Sequence, residues 1–305
     1  MADVDRRSAV KPRISVFAGK GGVGKTTCAA ATALHYASSG EPTLAISTDA
    51  TPSLSHIFEI VSSQKPARVQ DSLLINELGV HEVREMWDRK FGREVHEVFS
   101  SFVSVDYDQF VEFMTSLLPG LSDEFMVDYI RELSRAGDYH AIVWDTAPLG
   151  QTLTLLQTPA MLGKHLKMAP RIYAGLKTGQ RSKEPILDIL KRWERLSAAN
   201  MDFLRDEVDF NIVTIAEALA VEQLQRVFGE MSRYGLGVRR LIVNNVVKTA
   251  DSEFLSIRAR QQRQYLDVIY RTYADLEIVE LPMFPREPKG RDRLREVAGL
   301  LFPSE

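Results

Sequence analysis

The chain has 305 residues, of which 45% are hydrophobic and 26% charged, a balance that excludes disordered and fibrous classes. Lys+Arg 38 against Asp+Glu 41 leaves a net charge of −3, which argues against a generic polyanion binder, so no nucleic-acid partner is expected. One cysteine, Cys28, cannot form an internal disulfide or a thiolate metal cage, and no apolar run reaches the ~18 residues that span a bilayer. MADVDRRSAVKP lacks a signal-peptide core, and the expected location is the cytoplasm.

Short apolar runs alternate with longer amphipathic ones, which predicts an α/β fold: a doubly wound, mostly parallel sheet covered on both faces. The predicted strands are Ile14–Ala18, Thr43–Ser47, Leu73–Leu78, Ala141–Asp145, Asn211–Ala216, Arg240–Asn244 and Glu277–Leu281. Several are unbroken hydrophobic runs, as strands buried on both faces require. Helical periodicity follows at Lys25–Ser38, Val221–Arg233 and Glu253–Tyr273.

Residues 79–136 and 157–207 break the alternation and read as helices without a strand, forming a helical subdomain inserted into a single domain of residues 1–305. The acidic stretch 71–138 holds 15 Asp/Glu and 6 Lys/Arg, whereas 160–195 holds 9 Lys/Arg and 3 Asp/Glu. Solvated helix faces account for this imbalance, and so does steering between oppositely charged surfaces. Arg291–Phe302 carries an apolar helical face that suits packing on the sheet, or a membrane-surface helix.

The strongest motif is Gly19-Lys20-Gly21-Gly22-Val23-Gly24-Lys25-Thr26-Thr27, placed directly after the first strand and directly before a helix. It satisfies the phosphate-binding pattern G-x-x-x-x-G-K-[ST] in the context that pattern needs. Gly19, Gly21, Gly22 and Gly24 permit backbone shapes that let consecutive N–H groups, Val23 and Thr27 included, converge on phosphate oxygens. The helix start adds its positive dipole end. Lys25 is expected on the β/γ-phosphates of ATP and Thr26 on Mg²⁺.

Two further segments end strands at the same edge: Ser47-Thr48-Asp49-Ala50-Thr51-Pro52-Ser53-Leu54-Ser55 and Trp144-Asp145-Thr146-Ala147-Pro148-Leu149-Gly150-Gln151-Thr152. Open α/β sheets bind ligands there. Asp145 is suited to hold Mg²⁺ through water, and Asp49 to contact the metal or prepare the attacking water. Either acid alone also fits a helix N-cap.

Lys20 resembles the extra lysine in the deviant phosphate loop of dimeric ATPases such as nitrogenase iron protein, MinD and ParA. The two strand-end segments are similar to the switch motifs of the arsenical pump-driving (ArsA) and tail-anchored-protein targeting ATPase family. Leu117-Leu118-Pro119-Gly120, Val243-Asn244-Asn245, Arg258 with Gln262, and Leu281-Pro282-Met283-Phe284 followed by Glu287 and Gly290 extend the likeness. The resemblance implies ATP hydrolysis with Mg²⁺, a homodimer through the nucleotide face, and Lys20 reaching the partner's nucleotide. It implies Asn244, Pro282 and Phe284 at the adenine, although Asn244 also fits a loop cap. Ala50, Pro52, Leu149, Gln151 and Thr154 depart from the family's residues without removing a phosphate or metal contact. The zinc cysteines of many targeting factors fall at Ser252 and Leu255, so no zinc is expected. One thiol per chain likewise cannot build the arsenite site of the pump ATPases.

Six of the nine methionines (Met86, Met114, Met126, Met161, Met168, Met201) lie in the two helical stretches. Flexible methionine suits a groove for an apolar client helix or a membrane-associated partner protein, and it equally suits a core. The function expected first is a targeting or chaperone-type ATPase that handles an apolar protein segment. An oxyanion-pump subunit and a ParA/MinD-like positioning switch are the alternatives.

Overall fold

The computed structural model describes residues 11–48, 53–61, 65–100, 106–110, 121–146 and 186–303. Among the described residues, eight strands form one sheet: β1 Arg13–Gly19, β2 Thr43–Ser47, β3 Ala67–Gln70, β4 Leu73–Glu77, β5 Ala141–Asp145, β6 Val208–Ile215, β7 Val238–Val246 and β8 Glu277–Pro282. Their order is β3-β4-β2-β5-β1-β6-β7-β8, and every neighbouring pair is parallel except β3 with β4. The α/β, doubly wound reading therefore holds.

The helices bounded within the described residues are α1 Lys25–Ser38, α2 Leu54–Phe58, α3 Val80–Trp87, α4 Arg93–Ser100, α5 Leu121–Ala136, α6 Ile186–Asp206, α7 Ala218–Arg233, α8 Glu253–Thr272 and α9 Gly290–Leu301. A π-helical turn, Asp88–Gly92, joins α3 to α4.

Alternation along each buried strand sends side chains into two cores. Ile14, Val16, Ile142 and Trp144 face one layer with Trp87, Phe125, Ile130, Phe203, Leu224 and Ile269 from the helices. Phe17, Ala141, Val143 and Val213 face the other with α1, α2 and α9. Helix α1 is wrapped on nearly all sides, its Ala29, Ala30 and Ala31 fully buried between the sheet and α9. Small side chains there let the helix sit close to the strands.

Helix α9 buries Leu294, Val297, Ala298 and Leu301, so its apolar face belongs to the core rather than to a membrane surface. The described parts of 79–136 and 157–207 are helical, and Val83, Trp87, Met126, Met201 and Leu204 share one core with the sheet. Arg192 of α6 donates to Glu94 of α4 at 2.9 Å, an ion pair that crosses between the basic and acidic stretches.

Three predicted elements shift by more than one residue and one strand is new. Strand β6 begins at Val208 and β7 runs from Val238 to Val246, because pairing with neighbours extends the strands past their most apolar residues. Strand β3 was not expected: a short edge segment with an exposed Arg68, it carries no alternating apolar signal. Helix α7 starts three residues early, at Ala218, since Val221 N bonds to the carbonyl of Glu217.

Candidate functional site

The chain reverses from β1 into α1 at the carboxyl edge of the sheet, with β5 on one side of β1 and β6 on the other. That is the crevice where open α/β sheets take ligands. Two glycines of the turn have different reasons to be there. Gly24, the N-cap of α1, has φ 98°, and a Cβ on it would stand 2.2 Å from Asn244 Nδ2. Gly19 ends β1 so close to β6 that a Cβ would stand 2.2 Å from the Val213 carbonyl oxygen. Gly22 has φ 77° and open space around it.

Lys25 is buried, and its Nζ donates to the Lys20 carbonyl at 3.1 Å, which holds the ammonium against the loop backbone. The Lys20 side chain is exposed. Thr26 Oγ1 donates to Asp145 Oδ2 at 2.7 Å. Asp145 is buried at the end of β5, level in register with Phe17 of β1 and Ser47 of β2. The same Oδ2 accepts from Ser53 Oγ at 3.5 Å, and Ser53 meets Ser47 Oγ at 3.2 Å. Hydroxyls and a carboxylate gathered at one point are the hard oxygen donors that suit Mg²⁺.

Past the strand ends, Thr146 Oγ1 donates to the Phe17 carbonyl at 2.9 Å and Trp144 Nε1 to Thr48 Oγ1 at 3.4 Å, which fasten the first residues beyond β5 and β2 to the sheet. Asp49 and residues 147–185 lie outside the described residues, as do Met114, Met161 and Met168.

Beside the loop is a cleft of about 220 Å³ lined by Gly22, Gly24, Thr27, Asn244, Asn245, Leu281, Phe284, Arg286 and Glu287. Asn244 and Phe284 thus share this cleft with residues of the phosphate loop, while Pro282 pairs with Val246 in the sheet next to Leu281. Asn244 Nδ2 donates to the Val23 carbonyl at 2.8 Å, so this residue also braces the loop from the end of β7. Asn245 takes φ 58°, and buried Gln262 of α8 fixes it there. Gln262 Nε2 donates to the Asn245 carbonyl at 2.9 Å, while its Oε1 accepts from Val247 N at 2.8 Å.

Sequence reasoning missed Ser53 and Glu77. Glu77 Oε1 accepts from the N–H groups of Leu54 and Ser55 at 2.8 and 3.2 Å, capping α2 from across the sheet. The signal available was an acid at the end of a predicted strand, the same signal that marked Asp145.

A match to the anion-transporting ATPase family model spans residues 12–303. The chain belongs to that family. It is 28% identical over 297 residues to a putative arsenical pump-driving ATPase 2 of Aquifex aeolicus, covering 95% of this chain and 99% of that protein. It is 31% identical to ATPase GET3A and 30% identical to ATPase GET3B of Arabidopsis thaliana, covering 91% and 97% of this chain and 80% of each relative. The chain is accordingly an ATPase of this family.

Three features bear on what family members do beyond hydrolysis. Cys28 is fully buried in α1, where burial first and the Asp145 charge second push its thiol up to about 12. Ser252 caps α8: its Oγ accepts from Leu255 N at 3.2 Å. Met126 and Met201 are core residues and Met86 packs against that core, so these three do not line an open groove. Among the described residues, no cluster of three or more His, Cys, Asp or Glu is placed to hold a metal, and no helix is long and apolar enough to cross a membrane.

Proposed function

We propose that the chain is an MgATP-driven homodimeric switch that binds and releases an apolar protein segment in the cytoplasm. The observation that carries this reading is the 2.7 Å bond between Thr26 and Asp145, which joins the phosphate loop to the strand-end carboxylate beside a base-sized cleft. In this reading the N–H groups of Gly21, Gly22, Val23, Gly24, Lys25 and Thr26 cradle the phosphates, and Gly19 and Gly24 keep the backbone close. Lys25 neutralises the β/γ-oxygens, and Thr27, Asn244, Pro282 and Phe284 border the adenine. Thr26, Asp145 and Asp49 would hold Mg²⁺, whose charge would offset the negative charge developing on the transferred phosphoryl group.

Asp49 then orients and deprotonates the attacking water. Lys20, exposed at the mouth of the loop, supplies positive charge to the nucleotide of a second copy, as an arginine finger does. Loss of the γ-phosphate removes the contacts that hold the two copies together, so the subunits part and the helical layer is remodelled.

An apolar cargo is favoured over an arsenical because the single thiol is sealed in the core. The test is an Asp49→Asn variant, expected to bind MgATP yet hydrolyse it ~10²–10⁴-fold more slowly. Incubated with ATP and a hydrophobic helical peptide, it should retain the peptide as a dimer on gel filtration. Normal turnover in that variant removes Asp49 from the chemistry, and arsenite-stimulated turnover replaces the cargo with an oxyanion.

A further inference from the structure

Helix α2 is tied at both ends to different parts of the site. At its start, Ser53 Oγ reaches Asp145 Oδ2 at 3.5 Å, and Glu77 caps the Leu54 and Ser55 amides. At its other end, Lys289 Nζ lies 2.6 Å from His56 Nε2, and Glu59 Oε2 packs against Gly290, where a Cβ would stand 2.7 Å away. Both residues of the second contact hold left-handed backbone, Glu59 at φ 56° and Gly290 at φ 75°. A non-glycine residue keeps that conformation only when its surroundings enforce it.

An ammonium has donors only, so the contact with Lys289 requires the imidazole Nε2 of His56 to act as acceptor. Lys289 also pairs with Glu287 at 2.9 Å, and Glu287, Arg286 and Phe284 line the base cleft. The path from cleft to metal carboxylate is therefore continuous: Glu287, Lys289, His56, then one rigid turn and a half of helix, then Ser53 and Asp145. Leu54, Ile57 and Phe58 bury the inner side of that helix, so it shifts as a unit.

We infer that Lys289 and His56 are positioning residues through which a seated nucleobase holds Ser53 against Asp145. The inference rests on the nucleotide reading of the cleft. Met283, Pro285, Arg286 and Glu287 are exposed, so a base packed on Phe284 would cover part of a segment now open to solvent and restrict its side chains. Confinement of that segment lowers the entropic cost of ordering α2.

The test compares amide hydrogen exchange of residues 54–60 with saturating MgADP and with saturating magnesium pyrophosphate, which leaves the base cleft empty. MgADP should slow exchange roughly 2- to 30-fold more than pyrophosphate, the range for residues that transmit coupling without touching ligand. Lys289→Ala, His56→Ala and the double variant should lose that advantage to the same extent, because each breaks the same link. His56→Gln, which keeps an uncharged acceptor, should retain it. Equal protection by the two ligands, or additive losses in the double variant, would overturn the link while leaving the ATPase reading intact. Absence of any heat of MgADP binding would instead defeat the nucleotide reading, and the link with it.

Discussion

Thr26 and Asp145 stand 119 positions apart in sequence, yet the threonine hydroxyl donates a 2.7 Å hydrogen bond to the aspartate Oδ2. Parallel pairing of β1 with β5 brings them together, since Phe17 and Asp145 share a register and the phosphate loop follows Gly19. If the pair holds one metal, Thr26→Ala and Asp145→Asn act on the same step. Each should lower kcat by ~10²–10³-fold, and the double variant should be little worse than either. Steady-state phosphate release at varied Mg²⁺ measures this, and additive losses would separate the two roles. Lys25→Ala should cost at least as much.

Lys20 lends itself to a mixing experiment. Lys20→Ala and Lys25→Ala should each be nearly inactive alone. Mixed in equal amounts, they form some heterodimers in which one site has both an intact Lys25 and a Lys20 donated by the other copy. Recovery toward a quarter of normal turnover is expected for random pairing, following the trans logic of an arginine finger. Mixtures no more active than their parts would confine Lys20 to its own subunit.

Cys28 makes the molecule sensitive to alkali. Its thiol is pushed from the ordinary 9.0 to about 12, so above pH 9 the unfolded chain has released a proton that the folded chain keeps. Stability is then lost as pH rises through the unfolded value, by on the order of 1 kcal/mol at pH 10 for this group. Urea unfolding at pH 8 and pH 10 should show that loss, and Cys28→Ala should flatten the alkaline limb relative to the unaltered protein. Alkylation of the thiol at pH 8 should require unfolding.

Gln262 stabilises the bend after β7 with both ends of its amide. Gln262→Ala should cost about 2 kcal/mol and lower Tm by several degrees, since a backbone donor and a backbone acceptor lose their partner. Gln262→Glu, whose ionised carboxylate would be buried facing the Asn245 carbonyl, should cost at least as much as the alanine. Differential scanning calorimetry separates the three proteins, and an unchanged Tm in the alanine variant would show that water replaces the amide.

The phosphate loop was legible because its chemistry is contiguous: nine residues between a strand and a helix carry the glycines, Lys25 and Thr26 together. Asp145 was legible for a related reason, being the first acid after an unbroken apolar run. Glu77, Ser53 and the His56–Lys289 contact were not, because their meaning lies in the sheet order, which sets β4 next to β2 and brings α9 onto α2. Strand β3 escaped because a four-residue edge segment owes its structure to the neighbour it pairs with, not to its own pattern. The methionines were ambiguous for the same reason: a flexible apolar side chain suits a groove or a core alike, and only packing assigns Met126 and Met201 to the core.

The seat of α9 against α1 has a consequence for biosynthesis. Helix α1 projects the phosphate loop, and α9 covers the face of α1 that the sheet leaves bare. Residues 290–301 leave the ribosome after every other element named above, so a nascent chain presents α1 with an uncovered alanine-rich flank until translation has passed Leu301. The helix that projects the phosphate loop therefore gains its full packing only once that late segment has docked on it.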